Sequence, residues 1–273
     1  MRILSRDRLR SRTKTPSKGW RRGLLPCLLL AAACAPAQTL PDHMSLFLLI
    51  GQSNMSGRGT VGPSDQLTNP RIFMLTKDLA WKLARDPVHF DKRAAGVGLC
   101  SEFARTLVKS DPNIVVGLIP CAVGATTLDQ WKPGGELYAN AVARAREAMK
   151  RGTLAGILWH QGESDSAHDK VVTYGDRFVS MIAQLRRDLG AEKVPLVIGE
   201  LGRFRQSNAE FNAALPALAQ RVPLCACVSS EGLTAGSDNL HFNTTSLYIL
   251  GKRYATAYAG LEALIRANTG GPP

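Results

Sequence analysis

The chain has 273 residues, 45% of them hydrophobic, enough for one sizeable core. Its formal net charge of +12 invites a polyanion-binding reading, but nine of the 34 Lys and Arg, against one acid (Asp7), fall within residues 1–37. The remaining chain carries 25 basic and 21 acidic residues, a net of +4; that is an ordinary surface charge, and no nucleic-acid partner is expected.

The basic head is followed by an apolar run at 23–35 and by Ala35-Pro36-Ala37, a small-x-small cleavage pattern. The run is too short to span a bilayer comfortably but suits the apolar stretch of an export signal. Residues 1–37 are therefore read as a signal, residues 38–273 as one domain, and the protein as exported, periplasmic or extracellular. Arg21-Arg22 weakly resembles a twin-arginine signal. A lipid anchor at Cys34 is the weaker alternative, because Ala31 stands where a lipoprotein box usually has Leu. No stable membrane span is expected. Four cysteines lie beyond the signal, too few for a disulfide scaffold. Cys100 and Cys121 are a candidate pair in an oxidising compartment, and Cys225 and Cys227 read as small apolar residues of a strand.

Residues 46–50 are five apolar residues ended by Gly51, the pattern of a buried strand running into a sharp turn. Residues 56–70 read as loop and 71–75 as a short strand, while 76–98 has no periodicity and is expected to be a long surface excursion. A helix is predicted over 99–109 and a strand over 114–119. There follow a helix at 136–150, a strand at 154–159, a helix at 174–189, a strand at 195–198, a helix at 208–220, a strand at 224–228 and a terminal helix at 244–267. Apolar strands alternating with amphipathic helices predict an α/β fold with a central parallel sheet of about five strands and helices on both faces.

Four segments follow predicted strands at their carboxyl ends, where such sheets place ligands. Ser53 lies in the first turn and is a candidate nucleophile, although serines there more often cap helices. Gly124 lies in the second and can offer its N–H to an oxyanion. In the third, the Gln161 amide is a candidate oxyanion donor and Glu163 a candidate to hold it. In the last, Asp238 stands three residues before His241, a spacing that lets the carboxylate fix the imidazole tautomer and leave Nε2 for a hydroxyl. His160, Glu163, Asp165, His168 and Asp169 are close enough in sequence to suggest metal ligands, but their spacing matches no metal motif, and no metal is expected. Trp131 either walls a substrate pocket or packs in the core, and Arg58 either meets an acidic sugar or is solvated.

Gly51-Gln52-Ser53-Asn54-Met55, Gly124 before Trp131, Trp159-His160-Gln161-Gly162-Glu163 and Asp238-x-x-His241 together resemble the SGNH (GDSL-like) hydrolases. Within them the resemblance is to the sialate O-acetylesterase and acetylxylan esterase branch, carbohydrate esterase family six, over residues 45–260. The resemblance implies a three-layer α/β/α sandwich of flavodoxin-like build, and removal of acetyl groups from sugars without a cofactor. By position it implies Ser53 as nucleophile, His241 as base, Asp238 as its orienter, and an oxyanion hole of the Ser53 and Gly124 N–H groups with Gln161. Gln52 and Asn54, flanking the serine, and Glu163 and Trp131 would support the site or meet substrate. His160 departs from the branch, where an aromatic residue such as Tyr is frequent. The alternatives are an esterase or lipase of the same fold acting on another O-acyl substrate, and a non-catalytic carbohydrate-binding descendant.

Overall fold

The apolar run of the first strand becomes the centre of the molecule because both of its faces are covered. The computed structural model describes residues 40–269, so the expected export signal lies outside the described residues. Seven strands form one sheet: β1 (Met44–Gly51), β2 (Ile72–Leu75), β3 (Trp81–Leu83), β4 (Val116–Pro120), β5 (Gly152–His160), β6 (Leu196–Gly199) and β7 (Cys225–Val228). Their order is β3-β2-β4-β1-β5-β6-β7, with every neighbouring pair parallel except β2 and β3. Alternate residues of β1 feed two separate cores: Met44, Leu46, Leu48 and Ile50 one, Phe47 and Leu49 the other.

The longer helices are α2 (Leu99–Ser110), α3 (Glu136–Ala148), α4 (His168–Leu189), α5 (Ala209–Arg221) and α6 (Thr244–Thr269); α1 (Ser53–Ser56) is a single turn after β1. Helices α3, α4 and α5 cover one face of the sheet with Tyr138, Phe178, Ile182 and Phe211 among their buried residues. Helices α2 and α6 cover the other, where Phe47, Phe103 and Tyr258 meet edge-to-face with centroids 4.9 to 6.0 Å apart. Each such side chain taken wholly out of water contributes about 1.5–3 kcal/mol. This is the three-layer α/β/α sandwich expected.

Three expectations change. The sheet has seven strands, not about five: all six predicted strand segments join it, and the chain also forms β3, whose Phe73–Leu83 and Leu75–Trp81 pairings make a hairpin with β2. Segment 76–98 is not a surface excursion: Asp86, Val88, His89 and Val97 are all buried, and Gly96 N–H bonds the Gly57 carbonyl beside the first turn. Burial lowers the His89 pKa to about 4, so it is a neutral core residue. Cys100 and Cys121 are both free thiols, since they belong to cores on opposite faces of the sheet. Cys225 and Cys227 are free and half-buried on the edge strand.

β1 is the point where the chain's path divides, with β4 on one side and β5 on the other. Crevices at such switch points, on the carboxyl edge, are where ligands bind. The turns after β1, β4 and β5 all open there.

Candidate active site

Gly51 takes φ +127°, and a Cβ on it would overlap the His160 backbone of β5. Only glycine fits this approach, which lets Gln52 N–H bond the His160 carbonyl at 2.9 Å and turns the chain sharply into α1. Ser53 becomes the first residue of that turn. Among the described residues neither its N–H nor that of Asn54 has a hydrogen-bond partner.

Ser53 Oγ lies 2.9 Å from His241 Nε2, and His241 Nδ1 lies 2.5 Å from Asp238 Oδ2. Oδ1 of Asp238 accepts the N–H groups of Leu240 and His241 at 2.9 and 3.0 Å. Desolvation raises the Asp238 pKa, but the N–H and ring of His241 and the N–H of Leu240 outweigh it, and the value falls to about 2. The carboxylate is therefore ionised at neutral pH and can fix the imidazole with a proton on Nδ1 and a bare Nε2. Such an arrangement can take the proton from a serine hydroxyl as it attacks a carbonyl.

Asn54 ties the turn to its surroundings. Its Nδ2 donates to Glu163 Oε1 at 2.5 Å, and its Oδ1 accepts the Phe242 N–H at 3.1 Å. Burial raises the Glu163 pKa, with the bond from Asn54 opposing, and Glu163 Oε2 is buried without a partner among the described residues. A pocket of about 300 Å³ opens over Ser53, lined also by Gln52, Arg58, Lys92, Gly124, Glu163, Leu240 and His241. A larger groove of about 470 Å³ between α4 and α5 is lined by no Ser, Cys or His, so size alone does not identify the reactive site.

Three expected residues make other contacts than those expected. Gln161 is buried, and its two amide hydrogens go to the Thr126 carbonyl at 3.0 Å and to Asp165 Oδ2 at 2.6 Å, while its Oε1 accepts from Tyr174 at 2.8 Å. No donor is left for an oxyanion. The Gly124 N–H points to Asp91 Oδ2 at 2.8 Å and is likewise engaged. Trp131 is a core residue, donating to Thr126 Oγ1 and packing edge-to-face on Trp159. His160 is wholly buried against Tyr254 and Phe242, so its departure from the usual aromatic residue alters the core and leaves the pocket untouched. Among the described residues no cluster of three or more His, Cys, Asp or Glu is placed to hold a metal, and His168 pairs with Glu210 on the surface.

Sequence reasoning missed Asp91, and named Asp165 only as a weak candidate for a metal ligand. Asp165 holds Gln161 and the Leu128 N–H, and its spacing of four from Gln161 was a readable hint. Asp91 sits in the aperiodic segment and gave none.

A three-layer α/β/α sandwich with a hydroxyl, imidazole and carboxylate aligned on the carboxyl edge of its sheet has the build of a hydrolase. The chain belongs to the family described as carbohydrate esterase, sialic acid-specific acetylesterase, whose model matches residues 43–260. It is 34% identical over 255 residues to a probable carbohydrate esterase of Arabidopsis thaliana, covering 82% of this chain and 95% of that one. The X-ray structure from the same Arabidopsis locus superposes with a TM-score of 0.74 at 32% identity, over 81% of this chain and 99% of that one. The fold is shared with NanS (TM-score 0.68, 18% identity, covering 82% and 98%). It is also shared with a carbohydrate acetylesterase from Xanthomonas citri (TM-score 0.61, 18% identity, covering 80% and 56%). The protein is thus a carbohydrate esterase.

Proposed function

We propose that this chain removes O-acetyl groups from carbohydrates such as acetylated xylan, sialic acids or related sugars, through an acetyl-serine intermediate. The observation that carries the reading is the unbroken line Asp238–His241–Ser53 at the mouth of the pocket. His241 Nε2 takes the Ser53 proton as Oγ bonds the acetyl carbon, and the carbonyl electron pair moves onto oxygen. The Ser53 N–H, unpartnered among the described residues, meets that oxyanion. Collapse breaks the bond to the sugar oxygen, which leaves with the proton held by His241. Water then attacks the acetyl-serine, giving its proton to His241, and acetate departs as Ser53 is re-protonated. The cycle uses no cofactor. The leader composition at 1–37 supports an exported enzyme, which recovery of mature chain from the periplasm or medium tests.

Ser53→Ala is expected to abolish acetate release while leaving sugar binding intact. Near-normal turnover of an aryl acetate by that variant would remove Ser53 as nucleophile. A series of aryl esters of rising chain length separates the alternatives: a steep fall after acetate supports the deacetylase, and a flat or rising profile supports another acyl substrate. Absence of Ser53 labelling by an organophosphonate would favour a binding protein.

A further inference from the structure

A tetrahedral intermediate is held by two or three donors aimed at its oxyanion; the Ser53 and Asn54 N–H groups have no partner among the described residues, while Gln161 and the Gly124 N–H are engaged elsewhere. One cationic side chain stands beside those two backbone donors. Arg58 lines the same pocket as Ser53 and His241, and its side chain is only 10% exposed. It is built into the wall: Nη1 donates to Ser56 Oγ at 2.8 Å and to the Gly57 carbonyl at 2.7 Å, and Nη2 to Asp91 Oδ2 at 2.8 Å. Asp91, whose side chain is 1% exposed, accepts from Arg58, Gly124 N–H and Ser56, which fixes the guanidinium plane. Nη2 keeps one N–H with no partner among the described residues. A Cβ on Gly124 would overlap Arg58 Nη2 and lie 3.4 Å from Ser53 Cβ, so the missing side chain of Gly124 leaves open the space that borders both the guanidinium and the serine. Lys92, by contrast, lines the pocket from an exposed position, and among the described residues no bond holds its side chain.

We propose that Arg58 is a catalytic residue whose free guanidinium N–H meets the oxyanion formed on Ser53, with buried Asp91 as the positioning residue that holds it there. The proposal rests on Ser53 being the nucleophile. It gives Gly124 a different part from that implied by its motif: its N–H orients Asp91, and its lack of a side chain admits Arg58. A fixed guanidinium in a mostly water-excluded wall needs no reorganisation as charge develops, which is what makes such donors effective. A lysine would not reproduce it, since one ammonium lacks the planar fork that holds Asp91 and the turn together.

The test uses the purified full chain with a neutral substrate, p-nitrophenyl acetate, so that recognition of a charged sugar plays no part. Phosphonate labelling of wild-type Ser53 comes first; no label at Ser53 means the nucleophile reading fails, and this proposal with it. Given labelling, Arg58→Ala is expected to lower kcat about 10²–10³-fold, with KM within about threefold and phosphonylation slowed in parallel. Asp91→Asn is expected to lower kcat about tenfold, again with KM unchanged, because the guanidinium loses its tether. Wild-type kcat in folded Arg58→Ala, or a loss confined to KM, overturns the proposal. If melting curves show that Arg58→Ala does not fold, Arg58→Lys decides: a kcat about tenfold or more below wild type at unchanged KM supports the role, and wild-type kcat overturns it.

Discussion

Gln161→Ala discriminates between two roles for the same amide. The structure gives Gln161 three buried hydrogen bonds, to the Thr126 carbonyl, the Asp165 carboxylate and the Tyr174 hydroxyl. Truncation removes all three and leaves Asp165, 1% exposed, with one fewer donor. A neutral bond contributes about 1 kcal/mol net and one to a charged group about 1.5–3, so the loss is roughly 3–5 kcal/mol. For a domain of this size each kcal/mol shifts Tm by about 2–4 °C, and the variant is expected to melt roughly 6–20 °C lower. Turnover of an aryl acetate, measured at 15 °C to keep the variant folded, should stay within about fivefold of wild type. Thermal melts by circular dichroism and initial rates on the same sample suffice. An unchanged Tm with a kcat loss of about a hundredfold or more would place the amide in the oxyanion hole and refute the reasoning.

Asp238→Asn is expected to lower kcat about a thousandfold or more, because the amide no longer enforces the tautomer with a bare Nε2; steady-state rates at pH 7 check it. Asp238 is half-exposed, so its depressed pKa contributes little stability; that contribution is present above pH 4 and lost as pH falls through about 2. Asp86 works the other way. It is 1% exposed, Oδ2 has no hydrogen-bond partner among the described residues, and burial raises its pKa from 3.8 to about 6. The folded state therefore binds more protons than the unfolded one between those values, and stability falls as pH rises through them. Asp86→Asn should remove that fall, stabilising the protein at pH 8 by about 2–3 kcal/mol; urea titrations at pH 4 and pH 8 that show the same pH dependence in both proteins would contradict it.

What could be read in advance depended on how local the cause was. Strands with runs such as 46–50 and helices with stripes such as Phe178, Ile182 and Leu185 carry their own periodicity, and they stand within a few residues of expectation. Helix α4 begins at His168, six residues before its predicted start at Tyr174, because it opens on the polar His168, Asp169 and Lys170 and only Val171 carries the apolar stripe that far back. Strand β3 has three residues and earns its place only by pairing with β2. The contact between Asp238 and His241 spans three positions and was legible. The engagement of Gly124 by Asp91 and of Gln161 by Thr126 spans 33 and 35 positions, through side chains that no short motif contains. A motif residue can therefore stand in its expected place while its donor points somewhere else.

Asn54 touches Glu163 across 109 residues of chain and the Phe242 N–H across 188. One small amide thus clasps three loops that meet only when the whole sheet is assembled. No amino-terminal fragment ending before residue 242 holds that clasp, whatever secondary structure it forms. Hydrolytic activity is then a late signal in refolding, rising with completed tertiary structure and lagging behind helix content. For the same reason, a protease cut in any of the three loops is read first as lost turnover.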